Sequence, residues 1–144
     1  GTNDFAYFMR SWQKSYRLPR GERMLSLQVR MKHSHPDGAR PAEIFAYARA
    51  KLLDGPPLVR IREQGAARDE AWAVYERKAA PRKAELCFTR DTGRWQDRKW
   101  ETLPASIDPG RRRVTAKIPD DARVFYLNLE DERGLIVSTE HLER

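Results

Sequence analysis

A helix–strand–helix segment followed by an all-β sandwich is the fold this sequence predicts. Apolar residues recur at four-residue spacing up to about residue 53, and alternation replaces that period from about residue 58. Between the two patterns stands Asp54-Gly55-Pro56-Pro57, whose glycine and prolines mark a linker. The boundary divides the chain into residues 1–56, an α/β segment, and residues 57–144, a β domain.

In the first part, Phe8, Trp12 and Tyr16 place three rings on one helical face, and Pro19 with Gly21 stops that helix. Met24 to Met31 follows as a short β-compatible run, apolar in the manner of a strand covered by helices on both faces. It passes into Lys32-His33-Ser34-His35-Pro36-Asp37-Gly38, a loop by composition. Pro41 suits a first helical position and Gly55 a position just past a helix end, while Ile44, Ala48 and Leu52 repeat between them. A second helix is therefore expected from about Pro41 to Leu53.

Beyond the linker, seven strand-like segments succeed one another: Leu58–Arg62, Glu70–Glu76, Ala84–Thr89, Lys99–Leu103, Arg113–Ile118, Val124–Glu130 and Leu135–Ser138. Turn signals such as Asp91-Thr92-Gly93, Asp108-Pro109-Gly110 and Glu132-Arg133-Gly134 separate them. Short strands at this spacing, with no helical stretch among them, predict an immunoglobulin-like or fibronectin type III-like sandwich whose last hairpin turns near Glu132. A lone strand with two helices cannot bury both its faces, so residues 1–56 are expected to lean on the β domain or to expose apolar surface.

Composition narrows the classes. Hydrophobic residues make up 40% of the chain, with four Trp, five Tyr and five Phe, enough apolar surface to build a core instead of a disordered chain. No apolar run approaches the roughly 20 residues of a membrane helix. Cys87 is the sole cysteine, which excludes an internal disulfide and a cysteine zinc cluster. The net charge of +7 comes from basic residues interleaved with acids, and the one tight cluster, Arg111-Arg112-Arg113, follows Pro109-Gly110 as a solvated turn would.

The residues that suggest chemistry lie at the start. Asp4 stands ahead of the first helix, and His35 follows it by 31 positions, with His33 two positions earlier. In α/β-hydrolases the triad acid and histidine sit on loops leaving successive strands with a helix between, in that chain order. The layout from Asp4 to Leu53 resembles the final section of that family. More narrowly, Gly1-Thr2-Asn3-Asp4-Phe5-Ala6-Tyr7, Ser15-Tyr16-Arg17-Leu18-Pro19 and Arg30-Met31-Lys32-His33-Ser34-His35 look like bacterial acetylxylan-esterase and dienelactone-hydrolase-like proteins. Proteins of the PhoPQ-activated pathogenicity-related group look similar, and in that group a β-rich extension follows the hydrolase.

The resemblance implies a Ser-His-Asp acyl-enzyme mechanism with no metal or organic cofactor, acting on an ester substrate such as an acetylated polysaccharide. It also implies a secreted or periplasmic location. Asp4 would hold the imidazole, and His35 would serve as general base and acid. His35 is favoured because the hydrolase histidine lies out on its loop; His33, nearer the strand end, stays open as the alternative. Ser34 stands where related sequences often have glycine. No Gly-x-Ser-x-Gly occurs anywhere in the chain, so the nucleophile and oxyanion hole would belong to a preceding N-terminal hydrolase portion, and this chain alone is expected not to hydrolyse esters.

Other readings stand beside that one. Asp4 could simply cap the first helix. His33 and His35 could share a metal, with His141 the one further imidazole. Trp72, Trp95, Trp100 and Tyr126 could form a sugar-stacking face on a noncatalytic module, or pack as core or against a protein partner. The Arg and aromatic residues from Arg90 to Trp100 could contact single-stranded nucleic acid, although no compact basic face supports this. A membrane partner is not expected.

Overall fold

Alternation along the strands fixes the architecture. In the computed structural model, which describes residues 1–144, nine strands form two antiparallel sheets compatible with a β-sandwich. The first sheet has the order β1-β2-β6-β5, with β1 at Ile61–Ala67, β2 at Glu70–Tyr75, β5 at Ser106–Asp108 and β6 at Arg113–Lys117. The second has the order β4-β3-β7-β8, with β3 at Lys83–Thr89, β4 at Glu101–Pro104, β7 at Val124–Glu130 and β8 at Ile136–Ser138; β9, Leu142–Glu143, also pairs with β7.

Because successive side chains point to opposite faces, β7 sends Phe125, Leu127 and Leu129 inward. There they meet Leu86 and Phe88 of β3, Ala71, Ala73 and Tyr75 of β2, and Val114 and Ala116 of β6 in one continuous core. The other face of β7 is covered as well. Val124 and Tyr126 join Cys87 of β3, Trp95 and Trp100 in a second cluster completed by Met9 and Leu27 of the N-terminal segment. Met9 and Leu27 thus lean on the outer face of the second sheet, whereas Met24 and the α3 residues Ala46, Tyr47 and Ala50 pack against the main core.

Helix α1, Met9–Arg17, ends before Pro19 as expected, although its one fully buried residue is Met9 and Phe8 stays 38% exposed. Helix α3, Ala42–Leu52, begins one residue after Pro41, which stands at the N-cap position instead of the first helical one, and closes with the Gly55 N–H donating to the Arg49 carbonyl at 3.1 Å. The left-handed position at that end is taken by Asp54, with φ 51°, and not by Gly55. The α3 face that docks carries Glu43, Ala46, Tyr47 and Ala50 instead of the expected Ile44, Ala48 and Leu52. Glu43 accepts a hydrogen bond from the Ile136 N–H at 2.8 Å, so a carboxylate anchors the helix, while Ile44, Phe45, Leu52 and Leu53 face solvent.

Two expectations need correction. Residues 24–31, expected as a strand, form none, because a single backbone hydrogen bond to β8, at Leu25, makes no ladder. They are held instead by a polar clasp: Ser138 N–H donates to the Leu25 carbonyl at 2.8 Å, Leu27 N–H to Ser138 Oγ at 2.7 Å, and Asn128 Nδ2 to the Leu27 carbonyl at 3.3 Å. The stretch expected to be a loop around His35 contains a short helix, α2, at His35–Ala39. Ser34 starts it, its Oγ accepting the Asp37 N–H at 3.1 Å.

Candidate active site

Asp4 is placed by its own neighbours. One carboxylate oxygen, Oδ1, accepts the Ala6 and Tyr7 N–H groups at 2.8 Å each, the local turn that aspartate favours ahead of a helix. The other, Oδ2, lies 3.1 Å from Nδ1 of His33. Burial pushes the Asp4 carboxyl pKa up, but the hydrogen bonds from Tyr7, His33 and Ala6 outweigh it and the net displacement is downward. An ionised carboxylate only accepts, so His33 donates from Nδ1, which in the neutral ring leaves the lone pair on Nε2. The Asp4 side chain is 11% exposed and that of His33 is 40% exposed. The imidazole is therefore gripped on its Nδ1 side and open to the surroundings.

Two rings flank it. Phe5 meets the His33 ring edge to face with centroids 5.3 Å apart, and Tyr7 approaches at 5.6 Å. Both rings are more than half exposed, so they bound an open approach to the imidazole.

The favoured partner His35 is not the histidine that meets Asp4. Ser34 caps α2 through Asp37, and that cap draws His35 into the first helical position, exposed and away from the carboxylate's hydrogen bonds. A glycine at this point would lack the Oγ that accepts the Asp37 N–H. His141 serves elsewhere, with its ring between Trp12 and Trp95 at centroid distances of 5.6 and 5.8 Å. No group of three or more His, Cys, Asp or Glu side chains is placed to hold a metal ion.

Trp95 and Trp100 are 8% and 1% exposed, and Tyr126 is 1% exposed. None of them offers a ring face to a sugar. Trp72 is half-buried and covered by the Arg113 guanidinium, 4.7 Å from the ring centroid. The Arg90–Trp100 stretch is likewise tied down, with Arg90 paired to Glu101 and Asp121, and Arg98 lying 3.7 Å over the Trp95 ring.

Three residues that sequence reasoning did not single out hold the site together. Thr2 Oγ1 accepts the Arg30 N–H at 2.7 Å and donates to Asn3 Oδ1 at 3.0 Å. Asn3 Nδ2 donates to the carbonyls of Gln96 and Arg98 at 3.1 and 2.8 Å. Arg30, left-handed with φ 62°, donates from its guanidinium to the Trp100 carbonyl at 2.7 Å. Gly1 packs so closely on Met31 that a Cβ there would collide with its carbonyl. Thr2, Asn3 and Asp4 are all buried, which three consecutive polar residues give no reason to expect.

Comparison with known proteins finds no matching protein family, no matching curated protein and no matching solved structure.

Proposed function

We propose that this chain is the C-terminal portion of a serine carboxylic-ester hydrolase of the acetyl-esterase kind, supplying the acid Asp4 and the histidine His33 of a Ser-His-Asp triad. The observation that carries the reading is the contact of Asp4 Oδ2 with His33 Nδ1, made while Asp4 Oδ1 is fixed by two backbone donors. That is the arrangement in which an acid orients an imidazole, holds its tautomer and stabilises the imidazolium that forms when serine loses its proton. His33 Nε2 then takes the serine proton and returns it to the leaving alcohol. The serine and the oxyanion hole would come from a preceding portion of the enzyme, and no cofactor is needed.

The order helix, extended segment, histidine loop, helix supports the placement of residues 1–56 in a hydrolase. The strand order supports an immunoglobulin-like domain after it: β1-β2-β6-β5 follows the A-B-E-D order of such domains, and β4-β3-β7-β8 a C′-C-F-G order. An acetylated polysaccharide is the substrate class the sequence resemblance favours.

The test is to read the native coding sequence upstream of Gly1 and assay the protein it encodes. An in-frame Gly-x-Ser-x-Gly, with acetyl-ester turnover reduced about 10³-fold or more by His33→Ala and little by His35→Ala, is the expected result. A stop codon just upstream, or turnover insensitive to His33→Ala, refutes the proposal.

A further inference from the structure

We propose that the Gln96–Trp100 segment of the β domain is the positioning element of the Asp4–His33 pair, with Asn3 and Arg30 as the two positioning residues. The inference rests on the triad reading above and gives the β domain a part in it. Acid and histidine are carried by different stretches of chain, and a catalytic pair needs its partners held to within about 0.5 Å. One short segment receives both stretches. Asn3, next to Asp4, donates both amide protons to the Gln96 and Arg98 carbonyls. Arg30, three residues before His33, donates to the Trp100 carbonyl two residues farther on.

The two stretches are also joined directly, Asn3 N–H to the Met31 carbonyl at 3.3 Å and Arg30 N–H to Thr2 Oγ1 at 2.7 Å. Acid loop, histidine loop and sandwich thus form a closed circuit of hydrogen bonds.

The receiving segment is itself stiffened. Arg98 lies over the Trp95 ring and donates from Nε to the Gly93 carbonyl at 2.9 Å and from Nη2 to the Thr92 carbonyl at 3.3 Å. Lys99 N–H donates to Asp91 Oδ2 at 2.7 Å, and the Trp95 and Trp100 rings are buried on either side of this bend. The residue identity at position 3 follows from the geometry. Asparagine supplies two donors to two carbonyls and an acceptor to the Thr2 hydroxyl. Aspartate would set an anion against the same carbonyl oxygens, and alanine would leave them unpaired.

Nitrogen-15 NMR of the histidine rings in the 144-residue chain tests this, at about pH 8.5 where an ordinary imidazole is neutral. The expected result is a single Nδ1–H tautomer for His33 in the unmodified chain, lost in Asn3→Ala and in Arg30→Ala and retained in Arg30→Lys. Gln13→Ala breaks another contact of the same interface, Gln13 Nε2 to the His141 carbonyl at 3.1 Å, and is expected to leave the tautomer unchanged. Amide signals of the sandwich core report that each variant is folded; if Asn3→Ala is not, Arg30→Ala decides. A tautomer mixture in the unmodified chain would overturn the triad reading itself. A tautomer locked in the unmodified chain and equally locked in the folded alanine variants would overturn the positioning role alone.

Discussion

Met9→Ala is the perturbation that asks how firmly the N-terminal segment is seated on the sandwich. Met9 is the one fully buried residue of α1, 0% exposed, and it packs in the cluster that contains Leu27, Cys87, Trp95, Trp100, Val124 and Tyr126. Truncation removes three side-chain heavy atoms from a site walled by rings, which close poorly over a gap. Methionine-to-alanine changes in cores cost about 2–5 kcal/mol, and a site of this stiffness belongs near about 3 kcal/mol. With a urea dependence of about 2 kcal/mol per molar, the midpoint falls by about 1.5 M. Urea unfolding followed by tryptophan fluorescence is a suitable assay, since Trp95 and Trp100 lie in the cluster and Trp12 packs against it. Hydrogen exchange in α1 should rise with it. A loss below about 1 kcal/mol would refute the reasoning, because it would mean that α1 rests on the sheet without being held by it.

Two further outcomes follow from buried titratable groups. Burial lowers the His141 pKa against the opposing influence of Glu143, so the folded chain resists protonation there. Stability is then complete above about pH 6.5, the ordinary imidazole value, and declines as the pH falls below it towards the folded-state value. Urea midpoints measured at about pH 7.5 and 5.5 should show that decline, and His141→Leu should flatten it; an equal decline in the variant would refute the assignment. Cys87 is fully buried in β3, and desolvation pushes its thiol up to about 12. A disulfide reagent at about pH 8 is expected to leave the folded chain unlabelled and to react once urea unfolds it; prompt native labelling would contradict the packing of β3.

The parts of the fold that could be read from the sequence are those where local pattern and tertiary packing agree. Val124–Glu130 opens as a short apolar run bounded by turn signals, and β7 occupies those residues with both faces buried. Helix α1 stops ahead of Pro19 and α3 falls inside its predicted span. Elsewhere the decisive forces were not local. Leu58 and Val59 are buried in the core as their apolar character suggests, yet the ladder begins only at Ile61 and runs on through Glu63-Gln64-Gly65, because an edge strand tolerates polar residues. Met24–Met31 has strand composition but finds scattered backbone and side-chain partners, at Thr2, Asn3, Asn128 and Ser138, instead of a ladder. At the site, Asp4 was visible from its place before a helix, whereas its contact with His33 instead of His35 depends on how the chain runs into the Ser34 cap of α2. Asn3 gave no sign of its role, since its acceptors lie 93 and 95 positions away in the chain.

Those separations also govern when the pair can exist. Leu27 waits for Ser138, 111 positions later, Gln13 for His141, and Arg10 for Glu143. During synthesis the residues around Asp4 and His33 therefore precede the sandwich that supports them, and wait first for Gln96–Trp100 and then for the last strands. Contacts of this span make folding slow and leave Met9 and Leu27, both buried in the finished molecule, uncovered in the interval. Temperature or crowding during synthesis would act on this early segment first, and an aggregate formed then would contain residues 1–30 in a state the finished molecule never shows.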